Sequence, residues 1–331
     1  MKRPKEAVMV TGAGGFIGSH LAEALLEKNY HVICLLKPGE DDRWLKGLDV
    51  TIVYGDITEK KSLYGIVKDI TYIYHLAATT GGTFPPDYIH KVNYEGTKNM
   101  VDVCIETGLK LKRFLFVSTI AAVGETGEAE YADETVRPNP RSDYGKSKLA
   151  AENYIRGIGD KLPFTIVRLP LVYGPRNFHD IFTIFRFAGK GIKLSFGSAC
   201  TSVGFVKDIT GGIILAAEKT CAQGQTYFLG EEEAYSYPEL AAHVAGGVGR
   251  KTVKVRIPYF MLYIIAFFAE TVSAVKGTEP FLQRRSLREF LTSNWRFSMK
   301  KAREELNFKS DYPLPKGAKI TADWYRENGF I

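Results

Sequence analysis

The segment Thr11-Gly12-Ala13-Gly14-Gly15-Phe16-Ile17-Gly18 constrains this chain more than any other stretch. It ends the apolar run 7–11, which reads as a strand, and opens residues 17–28, whose apolar positions recur at helical spacing. A strand that turns on glycines into a helix gathers unpaired backbone N–H groups and the positive end of the helix dipole at one point. In such a turn Gly12 permits the tight bend, Gly15 lets the backbone approach a pyrophosphate, and Gly18 lets the helix pack on the strand. Gly14, Phe16 and Ile17 complete the loop. Turns use glycine for backbone reasons alone; the position between a strand and a helix at the start of the chain is what makes this a dinucleotide-binding loop. The basic stretch 1–6 ahead of the strand resembles a secretion signal, but glycines this dense do not suit a signal core.

The strand–helix alternation continues. Residues 31–36, 51–54, 72–75, 114–118 and 164–168 read as further strands, and residues 62–67, 92–107 and 144–157 as helices between them. Alternation of this kind predicts an α/β fold, a Rossmann-type doubly wound parallel sheet with helices on both faces and ligands at the carboxyl ends of the strands. After residue 175 the pattern loosens. Residues 1–175 are read as the dinucleotide-binding domain and 176–331 as a smaller, mainly helical substrate lobe, with 201–230, including a strand at 224–229, returning to the first.

At 331 residues with 45% hydrophobic and 24% charged side chains, the chain can bury a full core. A net charge of +7 without long basic blocks argues against a nucleic-acid partner, since even the densest run, Arg284, Arg285 and Arg288, is interrupted. Cys34, Cys104, Cys200 and Cys221 are scattered, with no metal-binding spacing, which points to a reducing, cytoplasmic setting and no metal. The apolar run 257–269 is too short to cross a bilayer. It reads as a buried helix after Pro258, or as one lining an apolar substrate cavity or making peripheral contact with a membrane.

Strand 31–36 ends at Leu36, where an acidic residue would bind the adenosine ribose, and Lys37 follows, with Arg43 also in reach. A cation with no opposing carboxylate favours NADP(H) over NAD(H). Asp56-Ile57 follows the third strand, and Asp56 is placed to accept from an adenine amino group. Tyr144 and Lys148 are four apart on one helix face. A phenol is a weak acid at neutral pH, and a neighbouring ammonium lowers its pKa toward the range useful for proton transfer. Thr119 ends a strand upstream, where its hydroxyl meets a substrate oxygen, and Asn93 is placed to hold a water relaying protons to Lys148.

The segments TGAGGFIGSH, GDIT, HLAA, VNYEGTKN, FVSTIAAVG, YGKSKLAAE and RLPLVYGP, in this order over residues 11–175, resemble the extended short-chain dehydrogenase/reductases of the NAD-dependent epimerase/dehydratase family. The resemblance implies catalytic roles for Thr119, Tyr144 and Lys148, supported by Asn93. It implies that Leu76, Ala77, Ala78, Pro170 and Val172 line the cofactor, with Ala77 and Pro170 beside the nicotinamide, that Tyr144 also contacts the cofactor, and that Lys148 bonds its ribose. It also implies a homodimer pairing helices 92–107 and 144–157.

Three departures bear on the small-molecule substrate. Dehydratases of the family carry Asp-Glu after the threonine, where this chain has Ile120-Ala121; sugar-nucleotide epimerases place an arginine where this chain has Thr201; and Leu36 replaces the acidic residue. The C-terminal segments YFMLYIIAFFAE, WRFSMKKAREELNF and ADWYRENGF resemble the 3β-hydroxysteroid dehydrogenase and dihydroflavonol reductase subgroup, with Trp295 and Trp324 read as structural. The leading expectation is a ketone/secondary-alcohol reductase for a largely apolar molecule. A sugar-nucleotide epimerase with tightly bound NAD, and a non-catalytic dinucleotide sensor, are the alternatives.

Overall fold

Strands buried on both faces read as near-continuous apolar runs, and the first half of the chain supplies them. In a computed structural model, which describes residues 5–80, 84–127, 131–179, 181–195, 199–256, 258–276, 284 and 293–331, these runs become β1 (Ala7–Thr11), β2 (His31–Leu36), β3 (Val50–Tyr54), β4 (Tyr72–His75), β5 (Arg113–Thr119) and β6 (Phe164–Leu169). Six further strands follow: β7 (Leu171–Tyr173), β8 (Ile192–Ser195), β9 (Cys200–Phe205), β10 (Thr226–Phe228), β11 (Ala234–Ser236) and β12 (Val253–Arg256). Seven strands form one sheet in the order β10-β6-β5-β4-β1-β2-β3, every pair parallel. Residues 1–4, Ile257, Arg285 and Arg288 lie outside the described residues.

Helices α1 (Phe16–Glu27), α2 (Pro86–His90), α3 (Gly96–Glu106), α4 (Asp143–Gly157), α5 (Ile181–Gly189) and α6 (Val206–Glu218) accompany the strands. Alternate residues of β1 face opposite ways. Val8 and Val10 pack with Leu21 and Leu25 of α1 and Ile213 of α6. Met9 packs on the other face with Met100 of α3 and Ile155 of α4. Both faces are therefore covered, and the carboxyl ends of β1, β4, β5 and β6 lie side by side along one edge.

The C-terminal region adds α7 (Tyr237–Val248), α8 (Tyr259–Lys276), α9 (Lys300–Leu306) and α10 (Leu314–Glu327). It also holds two small sheets, β11-β9-β7 and β12-β8, that the helical reading did not anticipate. Its core packs Tyr173, Phe185, Leu240, Val244, Ala318 and Tyr325. Trp324 joins this packing, 5.8 Å from Trp44 of the loop after β2.

Three expected elements differ. Residues 62–67 are not a helix: a 3-10 turn at Lys60–Ser62 gives way to turns. Ser62 Oγ donates to the Glu59 and Asp56 carbonyls, competing with helical bonding, although Leu63 and Val67 are buried as their spacing suggests. The helix expected over 92–107 starts earlier, at Pro86, and widens into a π turn at Lys91–Glu95 before α3. Finally, α8 is not a buried helix, since much of its apolar surface is exposed.

Candidate active site

The turn after β1 depends on Gly12, whose φ of +67° favours glycine and which lies against the chain after β4: a Cβ there would come within 2.9 Å of the Ala77 nitrogen. Thr11 Oγ1 fixes the same junction, accepting from the Leu76 and Ala77 N–H groups at 3.2 and 3.0 Å. α1 then begins at Phe16 with Gly15 as its N-cap and no side chain capping it, so its first N–H groups stay available to an anion. Residues from the ends of β1 to β4 line a cavity of about 330 Å³ that includes Gly12, Lys37, Asp56, Ile57, Ala77 and Ala78. These residues fit a dinucleotide: a glycine cradle and a helix N-terminus for phosphates open onto a partly apolar cleft for a nucleoside.

Lys37 Nζ meets Asp56 Oδ2 at 3.1 Å. Asp56 Oδ1 accepts from the Thr58 N–H and hydroxyl, both at 2.8 Å. Partial burial opposes the Asp56 charge, but the Thr58 bonds and Lys37 outweigh it and hold the carboxyl below its ordinary value. The expectation that no carboxylate opposes Lys37 is corrected. Glu40 lines the same cavity and accepts the Lys37 N–H at 2.9 Å, because the chain turns back after β2. Arg43 does not reach in; Asp41 holds its guanidinium beside the Trp44 ring.

The other group of residues forms where β5 meets α4. Thr119, last residue of β5, accepts the Ala121 N–H on Oγ1 at 3.1 Å, which leaves its hydroxyl proton for another partner. Ser142 caps α4 by accepting the Gly145 N–H at 3.0 Å. Gly145 lies directly against the Ala121 carbonyl, with no room for a Cβ. The first turn of α4, carrying half-buried Tyr144, is thereby brought to the end of β5. One turn on, Lys148 is 1% exposed, its Nζ 4.0 Å from the centre of the Phe116 ring. Burial lowers its pKa to about 7, against the opposing pull of Glu152.

Asn93 sits in the π turn, fully buried. Its Oδ1 accepts the Thr79 N–H at 2.8 Å, and its Nδ2 donates to the Thr79 carbonyl at 2.9 Å and to Ser147 Oγ at 3.0 Å. Both amide protons are taken, so the amide acts as a brace. Asn93 ties the chain after β4 to α4, and the widened turn is what aims it there. Leu76, Ala77 and Ala78 belong to that braced chain. Pro170 and Val172 leave β6 on the far side of Thr119, with Val172 buried in β7.

Sequence reasoning missed two buried networks. His75 Nδ1 lies 2.9 Å from Thr11 Oγ1, and Nε2 lies 3.1 Å from Thr97 Oγ1. Thr97 donates to the Asn93 carbonyl at 2.6 Å, so His75 Nε2 carries the proton and Nδ1 accepts from Thr11. Burial, then the charge of Lys148, lowers the His75 pKa to about 3 and keeps the ring neutral. In the second network Glu152, one turn beyond Lys148, accepts from Ser118 at 2.5 Å and from Arg168 at 3.0 and 2.7 Å. The HLAA, YGKSKLAAE and RLPLVYGP segments contain His75, Glu152 and Arg168, but only folding shows who pairs with whom.

A parallel sheet in this order, a glycine turn on β1, and a Tyr/Lys pair beside a strand-end threonine define a nicotinamide-dependent enzyme of the short-chain dehydrogenase/reductase type. The chain belongs to the NAD dependent epimerase/dehydratase family, which it matches over residues 8–230. It is an extended short-chain dehydrogenase/reductase, an NAD(P)-dependent oxidoreductase acting on a small molecule. It is 26% identical to short-chain dehydrogenase/reductase family 42E member 1 of Xenopus laevis, over 99% of this chain and 90% of that protein. It is 28% identical to a 3-beta-hydroxysteroid dehydrogenase of Mycolicibacterium neoaurum, over 91% and 86%. In fold it resembles UDP-glucose 4-epimerase of Thermus thermophilus, solved with NAD, at a TM-score of 0.77 and 24% identity over 97% of this chain and 99% of that one.

Proposed function

We propose that this enzyme interconverts a ketone and a secondary alcohol on a largely apolar, sterol-, flavonoid- or alkyl-like substrate. The observation that carries the reading is Thr201. Where an epimerase of the family would present an arginine to a diphosphate, this side chain is 4% exposed, its hydroxyl donating to the Ser202 carbonyl at 3.1 Å. Ile120 and Ala121 after Thr119 offer no acid for dehydration. Relatives named as a sterol-4-alpha-carboxylate 3-dehydrogenase of Mus musculus, 25% identical over 83% of this chain and 77% of that protein, and as a 3-beta-hydroxysteroid dehydrogenase support an apolar ring system.

The nicotinamide supplies or accepts the hydride. Tyr144 gives a proton to the substrate oxygen in reduction and takes it in oxidation. Lys148, when protonated, stabilises the phenolate and bonds the nicotinamide ribose. Thr119 turns its free hydroxyl proton to the same substrate oxygen, and Asn93 holds α4 in place. Lys37 at the cavity mouth favours NADP(H), with Glu40 working against it. The enzyme acts as a homodimer through α3 and α4, and α8 makes peripheral contact with a membrane, where an apolar substrate is concentrated.

A screen of apolar ketones and alcohols with both cofactors, followed at the nicotinamide absorbance, tests this. Stoichiometric loss of NAD(P)H with such a ketone is expected. Turnover of a UDP-sugar with no net change in cofactor would establish the epimerase instead.

A further inference from the structure

Helix α8 carries apolar side chains on its outside. Leu262, Ala266, Ala269 and Ser273 form a buried stripe at helical spacing. On the opposite half of the helix Phe260, Tyr263, Ile264, Phe267, Phe268 and Val272 are exposed, Phe260 by 63% and Phe268 by 60%. A continuous apolar face of this size does not stay in water without a purpose. Among the described residues no helix is long and apolar enough to cross a membrane. An 18-residue helix, about 27 Å long, with one apolar face outward, is instead the shape that lies along an interface.

The charge around this face says which interface. Glu270 is the only carboxylate on α8, and Arg284 neutralises it at 2.7 Å. The same guanidinium lies 5.8 Å from the Tyr263 ring centre and 5.1 Å from that of Phe267, a cation on the apolar face itself. In the chain leading into and along β12, ahead of the helix, Lys251 and Lys254 are exposed, as is Arg250, which donates to the Gly189 carbonyl, and no acidic residue intervenes before Glu270. Lys254 also stands beside Lys193 in the β8–β12 register. A second copy paired with the two α8 helices parallel would lay this basic segment against its twin.

We propose that α8 docks on the surface of an anionic phospholipid bilayer, with its exposed aromatic and aliphatic side chains in the acyl boundary. Arg284 and the 250–254 cations lie against lipid phosphates. This rests on the reading of α8 as a peripheral element, and it is measured without turnover, so it stands or falls separately from the hydride chemistry.

The full chain is floated with vesicles of phosphatidylcholine plus phosphatidylglycerol, and with phosphatidylcholine alone. Binding to the anionic vesicles is expected. The pair Ile264→Ser and Phe268→Ser should weaken it by at least about tenfold, with circular dichroism unchanged. The pair Lys251→Glu and Lys254→Glu should weaken binding to the anionic vesicles, as should salt when it shortens the screening length from about 10 Å at 0.1 M to about 3 Å at 1 M. Wild-type protein that ignores both vesicles, binds both equally, or binds undiminished after the first pair of substitutions overturns the proposal. So does a concentration-dependent dimer that the first pair breaks while vesicles capture nothing.

Discussion

The amine of Lys148 lies 4.0 Å from the centre of the Phe116 ring, on a side chain that is 1% exposed. The ring face attracts the ammonium, but burial outweighs it and brings the pKa to about 7. Between pH 7 and the ordinary lysine value the unfolded chain binds the proton that the folded one has released, so this group makes stability rise with pH across that window. Below it both states are protonated and the contribution is flat. Carbon-13 NMR of labelled lysine methylenes should show one lysine titrating near pH 7, absent from Lys148→Met. Titration of every lysine above about pH 9.5 would contradict the burial argument.

Tyr144 enters the chemistry as a proton donor and acceptor, so Tyr144→Phe should lower kcat by about 10²- to 10⁴-fold. The glycine turn that would hold the phosphates lies apart from the phenol, so the cofactor's dissociation constant, read by nicotinamide fluorescence, should stay within a few-fold of wild type. Retained turnover would remove the phenol from the mechanism.

Much of the sheet was legible because a parallel strand buried on both faces is mostly apolar; β1, β2 and β4 have the bounds their apolar runs suggest. The glycine turn and the Tyr144/Lys148 spacing were legible because they are local. Partnerships across the fold were not. Nothing in the order of residues says that Glu152 meets Arg168 and Ser118, or that His75 joins Thr11 to Thr97. Glu40 escaped notice because it enters the cavity by a turn four residues past the position where an acid is expected. The run leading α8 looked like core because apolarity does not reveal which side faces water.

The glycine turn makes a prediction that separates folding from binding. A Cβ on Gly18 would collide with the Gly12 carbonyl, whereas one on Gly15 would meet the Gly12 carbonyl oxygen at 3.3 Å, a tight contact that a small shift relieves. Gly18→Ala should therefore lower the midpoint of thermal unfolding. Gly15→Val should lower it much less while abolishing cofactor binding, because the added side chain takes the space a pyrophosphate approaches. Calorimetry with a cofactor titration reads both, and wild-type affinity in Gly15→Val would refute the loop assignment.

Cofactor choice should turn on Lys37 and Glu40, whose loop is held by Trp44 between the Trp324 ring and the Arg176 guanidinium, 5.8 and 5.2 Å away. Glu40→Gln removes a negative charge from the cavity and should tighten NADPH relative to NADH. Lys37→Ala should do the reverse, in each case by about tenfold, the scale of one pair of charges near a protein surface. Parallel fluorescence titrations with both cofactors check this; unchanged ratios in both variants would place the 2′-phosphate elsewhere.

Glu152 and Arg168 are 0% and 2% exposed, and their charges are answered chiefly by one another. Burial opposes the carboxylate, but the bonds from Arg168, the charge of Arg156 and the Ser118 hydroxyl hold its pKa below the ordinary value. Removing one partner strands the other in a dry environment, so Arg168→Met should destabilise the fold by about 3–5 kcal/mol, whereas replacing both partners costs far less. Urea unfolding of Arg168→Met, Glu152→Gln and the double variant measures the coupling as a cycle. Glu152 also stands one turn from Lys148, and its negative charge is what raises the pKa of that amine against burial. In Glu152→Gln, which keeps the Arg168 charge, the lysine titration should therefore move to lower pH. A double variant as unstable as Arg168→Met would mean that shape rather than charge holds this part of the core, and an unmoved titration would mean that Glu152 does not act on Lys148.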